Sequence, residues 1–151
     1  MEDISFKIDI PADDEGYVLF RCPKCGEFFK IMPSDYYAEE VREISCPLCG
    51  LVSENYLTND VIELGLVMAE NYAMNMIYDA FNKVSKKSNN AGVKFTVNKP
   101  RLKEVNPIRA TIDAMDIYEF TCCKRTAKLR YCLSYCGSYC PFCGGRDDGS
   151  V

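Results

Sequence analysis

The chain contains no histidine and no tryptophan, and nowhere does it run through about 18 consecutive apolar residues. Without histidine there is no imidazole general base, no Ser-His or Cys-His nucleophile pair, and no mixed Cys/His metal site. Without a long apolar run, no membrane span is expected. The sequence also lacks a P-loop, a G-x-S-x-G elbow and a dinucleotide fingerprint. Nucleobase deaminases place Cys or His, one residue, then Glu ahead of a Pro-Cys-x-x-Cys, and that arrangement is missing too. These absences argue against an enzyme. The opening "MEDISFKIDIPADDEG" is acidic and has no basic stretch leading into an apolar one, so it does not read as a secretory signal. The expectation is a cytoplasmic chain whose cysteines stay reduced and bind metal rather than form disulfides.

What the sequence does contain is ten cysteines among 151 residues, with 48% apolar residues, enough for a real core. Its charge is divided along the chain. Residues 1–82 hold five Lys/Arg against sixteen Asp/Glu, a net of −11, and residues 83–151 hold thirteen against six, a net of +7. Such a division suggests either a face for polyanions or two halves that attract each other.

Residues 16–57 carry the first cysteine cluster. "YVLFRCPKCGEFFKI" enters a Cys-x-x-Cys-Gly turn and leaves it in strand-like runs, and "ISCPLCGLV" repeats the turn about twenty residues later. Cys22, Cys25, Cys46 and Cys49 thus follow a C-x2-C-x20-C-x2-C pattern. A two-residue gap lets both sulfurs of a tight turn face one ion, and two such turns close a tetrahedron with metal–sulfur bonds of about 2.3 Å. Proline after the first cysteine presets φ, and glycine after the second permits the left-handed step that follows.

"CPKCG" and "CPLCG" resemble the paired knuckles of zinc-ribbon and rubredoxin-like proteins, over about 35 residues. The resemblance implies a structural four-cysteine zinc site. Rubredoxins hold iron instead, so the metal stays open between zinc and iron.

A second cluster follows at 116–151. "DIYEFTC", "AKLRY" and "SYCPFCG" match "YVLFRC", "FFKI" and "ISCPLCG" in order, which reads as an internal repeat and a second ribbon. Its first knuckle is irregular: Cys122 is followed directly by Cys123, and neighbours on an extended chain point to opposite sides. Cys140 and Cys143 are the firm ligands. Repeat alignment adds Cys122 and Cys123, with Cys132 and Cys136 as the alternative pair. Eight sulfurs would then hold two structural zinc ions, and closed four-cysteine sites do no chemistry.

Between the clusters, "DVIELGLVMAENYAMNMIYDAFNKVSKK" has apolar residues at helical spacing, with Asp60 and Glu63 forming a capping-box-like start. Its apolar arc is wider than a surface helix needs. It is expected either to pack against both ribbons or to meet a partner or second copy through residues 60–84. A basic connector follows, with a strand at "VKFTVNKPRL" and a short helix starting near Pro107.

The fold class expected is α+β, with two small four-cysteine zinc ribbons bracketing a long central helix. The segments are 1–57 for the acidic start and first ribbon, 58–88 for the helix, 89–115 for the connector and 116–151 for the second ribbon. Two functions compete. One is a non-catalytic accessory subunit that associates with nucleic acid through Lys99, Arg101, Lys124, Arg125, Lys128 and Arg130, with tyrosines nearby for stacking. The other is a protein-interaction adaptor using the helix, favoured by an overall pI near 4.9.

Overall fold

The computed structural model describes residues 3–88, 92, 94, 96–106, 108 and 114–148. The chain divides into two compact units. Residues 10–59 and 108–148 form a cysteine unit, and residues 3–9 and 60–106 form a helical unit.

In the cysteine unit, strand β1 (Val18–Arg21) pairs antiparallel with β2 (Phe28–Ile31). β3 (Asp116–Glu119) pairs likewise with β4 (Thr126–Leu129). The aromatic and β-branched residues of "VLFR", "FFKI" and "DIYE" suit a pleated, half-buried surface. The two hairpins do not remain separate ribbons, as the sequence reading expected. They join through β2 and β4 into one antiparallel sheet of order β1-β2-β4-β3. Residues 45–47 and 139–141 join as well: Ser45 N–H donates to the Pro141 carbonyl and Tyr139 N–H to the Pro47 carbonyl, both at 2.9 Å. The equivalent halves are therefore related by a local two-fold, and the repeat seen in the sequence folds as one fused pair. The reason is burial. Each hairpin alone leaves an apolar face and an open edge, and fusion covers both.

The core lies between the halves. Phe29, Ile31, Ala127 and Leu129 come from the two central strands, and Tyr56, Tyr118, Phe120, Leu133 and Phe142 close around them. Phe29 meets Tyr56 edge-on, with ring centroids 5.6 Å apart, and stacks on Phe20 at 6.0 Å. The Tyr56 hydroxyl donates to the Ile44 carbonyl, tying the second knuckle to the sheet.

The fusion has an electrostatic difficulty. The register sets Lys30 of β2 directly opposite Lys128 of β4, and both are buried. Like charges facing each other across a ladder repel. Asp13 resolves this. Its Oδ2 lies 3.2 Å from Lys30 Nζ and 2.6 Å from Lys128 Nζ. Its Oδ1 accepts the N–H groups of Glu15 and Tyr17, an Asx-type turn that fixes the carboxylate. Glu15 adds a second carboxylate to Lys128 at 3.2 Å, and the Tyr17 ring faces its Nζ at 5.0 Å.

Two short helices complete the cysteine unit, α1 (Pro33–Tyr36) and, numbered after the long helix, α3 (Tyr131–Cys136). A two-stranded ribbon, β5 (Ser138–Tyr139) and β6 (Arg146–Asp147), flanks the last knuckle. The long helix α2 spans Asn59–Ser88, 30 residues, with Asp60 in its first turn and Lys86 and Lys87 in its last. Each charge is placed to favour the helix dipole. No helix among the described residues is long and apolar enough to cross a membrane. The strand expected at 93–102 does not form among its described residues. The chain instead runs beside α2, where Asn71 clamps both the N–H and the C=O of Lys103 at 3.0 Å. The short helix expected from Pro107 lies mostly outside the described residues.

Candidate metal centres

Four short turns share one hydrogen-bond frame. In each, the first residue's N–H donates to the carbonyl five residues on, and the residue four on donates back to it. The turns open at Cys22, Cys46, Phe120 and Cys140, with distances between 2.8 and 3.0 Å. The fifth residue takes positive φ in all of them: Gly26 at 80°, Gly50 at 71°, Gly144 at 73°, and Lys124 at 59°. Three turns obey the Cys-Pro-x-Cys-Gly rule. The third obeys the geometry without the residues.

That exception explains the adjacent cysteines. Strand register places Glu119 where Arg21 stands in the first half, so Phe120 occupies the position of Cys22 and Cys123 that of Cys25. The matching Phe-x-Cys strings at 20–22 and 120–122 are therefore not equivalent in the fold, being two residues out of register. Phe120 spends the first ligand position on the core, being fully buried. Cys122 supplies a sulfur from inside the turn instead. Lys124 holds the left-handed conformation that glycine adopts freely, at a cost of about 1–2 kcal/mol.

The sulfurs form two cages. Cys22, Cys25, Cys46 and Cys49 lie within 4.8 Å of one another, and so do Cys122, Cys123, Cys140 and Cys143. Metal–sulfur bonds of about 2.3 Å in a tetrahedron require sulfurs about 3.8 Å apart. The structure gives 3.8 Å for Cys22–Cys49, 3.5 Å for Cys25–Cys46 and 3.7 Å for Cys123–Cys140. Donor type, number and spacing all fit a structural ion. Either cage could bind a metal. Cys132 and Cys136 join neither; they are exposed on α3.

Protonation within the cages follows from crowding. Burial pushes Cys46 and Cys140 well above the usual thiol range, and Cys143 up to about 11. Cys25 is raised for the same first reason. Burial also opposes ionisation of Cys22, but the N–H groups of Cys25 and Lys24 outweigh it and pull that sulfur down. Cys123 is lowered against burial in the same way, by the Arg125 N–H and neighbouring sulfurs. Four thiolates this close repel, so a cation is needed to ionise them all, and its entry expels protons.

The cages are unequal. Cys22, Cys46 and Cys140 each receive N–H groups from two and three residues on. In the third turn those donors face a phenylalanine position, and Cys122 is exposed. Serine at Cys140 is therefore expected to lower stability by several kcal/mol, through loss of a closed metal site. Serine at Cys132 should change it by less than about 0.5 kcal/mol. Thermal melts of both variants check this, and equal losses would place Cys132 in the ligand set.

The basic residues singled out from sequence go to different places. Arg125 bridges to Asp35 at 3.4 Å and Glu40 at 3.3 Å. Lys128 is held by Asp13 and Glu15, as above. Arg130 grips the buried Glu27 through two parallel bonds, one of them 2.6 Å long. These acids belong to the negative half of the sequence, so at these three residues its charge division is spent on holding the halves together. Lys99, Arg101 and Lys124 are exposed and form no ion pair among the described residues. The role of Asp13 was not legible in the sequence, because its partners lie 17 and 115 residues away.

Compared with protein-family models, curated proteins and solved structures, the chain finds no match.

Proposed function

We propose that the chain is a non-catalytic protein-interaction module, an adaptor in which two structural zinc ions staple the cysteine unit and α2 is the docking element. One contrast supports this reading. The cations best placed for nucleic acid in the second cluster, Arg125, Lys128 and Arg130, are engaged by the chain's own carboxylates. A long apolar face of α2, by contrast, is exposed: Ile62 is 41%, Leu66 60% and Ile77 52% accessible. Exposed apolar stretches of this length mark contact surfaces. Closed sulfur cages leave no open coordination position for catalysis, which agrees with the absence of histidine.

A second reading rests on Lys99, Arg101 and Lys124, exposed cations that would suit phosphates. Anisotropy titration of labelled single- and double-stranded oligonucleotides at about 50 and 200 mM salt separates the two. The adaptor reading expects no saturable binding at either salt. Binding that weakens steeply with salt and is lost in Lys99→Glu/Arg101→Glu would replace it with the nucleic-acid reading.

A further inference from the structure

The local two-fold of the cysteine unit breaks at the knuckle tips. Leu48 and Phe142 are equivalent, each the third residue of a Cys-Pro-x-Cys-Gly turn. Phe142 is only 8% accessible, whereas Leu48 is 43% accessible. The chain between equivalent points explains the difference. Ser45 and Tyr139 mark the same place in the two halves, through their reciprocal bonds to Pro141 and Pro47. Residues 37–44 lead from α1 to Ser45, but only residues 137–138 lead from α3 to Tyr139. The longer segment crosses to the other half. Glu40 and Glu43 border one hollow with Phe142, and Val41 packs on the core. Glu40 also joins Asp35 on Arg125, whose guanidinium lies 5.9 Å from the Phe142 ring centre. Two residues span at most about 7 Å and make no such crossing. Leu48 is left beside an open cleft of about 360 Å³.

The chemistry of this cleft specifies what fits it. Its lining combines apolar Phe28, Leu48 and Met115 with the ion pair of Arg130 and Glu27. Glu27 is buried and its charge is taken up by Arg130. The Arg130 side chain is 54% accessible, and it holds Glu27 through Nε and one terminal nitrogen, which leaves the other to donate outward. Arg21 adds a second guanidinium, 5.8 Å from the Phe28 ring centre. The charge presented to a ligand is therefore positive, and its complement is acidic. The chain's own occupant of the equivalent place has that character. Residues 37–44, "YAEEVREI", set three glutamates around one valine, and one glutamate meets a guanidinium while the valine packs inward. We propose that the Leu48 cleft docks an extended acidic segment of another protein. An apolar side chain lies on Phe28, Leu48 and Met115, and a neighbouring carboxylate meets Arg130. This surface goes beyond the role given to α2, and either can fail without the other.

The probe is a synthetic peptide of the chain's own residues 37–44, titrated to about 1 mM into full-length, zinc-loaded, nitrogen-15-labelled protein. Saturable amide shifts are expected at residues 25–28, Leu48 and Met115. Affinity should fall at least about tenfold in Leu48→Glu and in Arg21→Glu, and should weaken as salt rises from about 50 to 200 mM. The same peptide with its three glutamates changed to lysine should not bind. Leu48 is an exposed tip and no sulfur ligand, so Leu48→Glu should keep its zinc, which is measured alongside. If it loses zinc, Met115→Glu, outside every knuckle, takes its place with the same expected loss of affinity. Absence of shifts at about 1 mM, shifts centred on Phe142 instead, equal binding of the lysine peptide, or affinity unmoved by these substitutions overturns the proposal. Self-association of the protein that Leu48→Glu abolishes would give the cleft to a second copy and overturns it as well.

Discussion

Stripping the metal from the protein is expected to abolish cooperative melting of the cysteine unit. Its strands are four residues long or shorter, and three of its most buried side chains are the cage residues Cys22, Cys46 and Cys140. A structural zinc site contributes about 10–16 kcal/mol of apparent binding free energy at neutral pH, as much as the whole net stability of an ordinary domain. Two ions per chain should be found by elemental analysis, and finding iron instead would change the metal but not the architecture. Release should come in two steps. The cage with Cys122 should empty first under a competing chelator, because it has one buried and two exposed sulfurs, against two buried and one exposed in the other cage. Since raised thiols must lose protons to bind, metal affinity should fall as pH falls. A sharp calorimetric transition in metal-free protein would show that the aromatic core suffices alone. Simultaneous release of both ions would show that the irregular third turn carries no penalty.

Asp13→Ala is expected to be the most damaging substitution outside the cages. It leaves Lys30 and Lys128 facing each other across the β2–β4 ladder, with side chains 2% and 10% accessible. Removing one member of a buried charge cluster costs about 3–5 kcal/mol, mostly from the charges left uncompensated. Glu15 still reaches Lys128 but is 56% accessible and does not replace Asp13. The mechanism predicts its own rescue: Lys30→Met/Lys128→Met in the Asp13→Ala background should recover most of the loss, since an apolar isostere removes the repulsion. Chemical denaturation of the three proteins decides this, and a rescue that fails would assign Asp13 to its turn rather than to the lysines. The pH dependence has two limits. The lysines and local N–H groups hold the Asp13 carboxyl well below its usual 3.8 against the opposing effect of burial. A depressed folded pKa means this stability is present above pH 3.8 and is lost as pH falls below it. Lys128, likewise opposed by burial, is raised by Asp13 and Glu15, so its share is present below pH 10.5 and is lost as pH rises through the folded value. On the acid side, protonation of the cage thiols is expected to act first.

Local chemistry was readable directly along the chain. Knuckles are closed by contacts within six residues, so Cys22, Cys25, Cys46, Cys49, Cys140 and Cys143 were legible from spacing, proline and glycine. The helical period of α2 was equally local, and the structure forms the helix over Asn59–Ser88. The irregular pair Cys122 and Cys123 does come together with Cys140 and Cys143 in a group that could hold a metal, two residues out of the register that the repeated strings suggest. Phe120 stands in the first sulfur position, and Lys124 hides a turn that glycine would have announced. That the two ribbons share one sheet was not readable in this way. Strand pairing between β2 and β4 joins residues about a hundred positions apart, and no local pattern encodes which edges meet. That pairing brought Lys30 to Lys128, gave Asp13 its purpose, and turned the charge division into internal bonds at Arg125, Lys128 and Arg130. Spacing fixes what a short loop can bind; which distant charges must neutralise each other depends on which strands become neighbours.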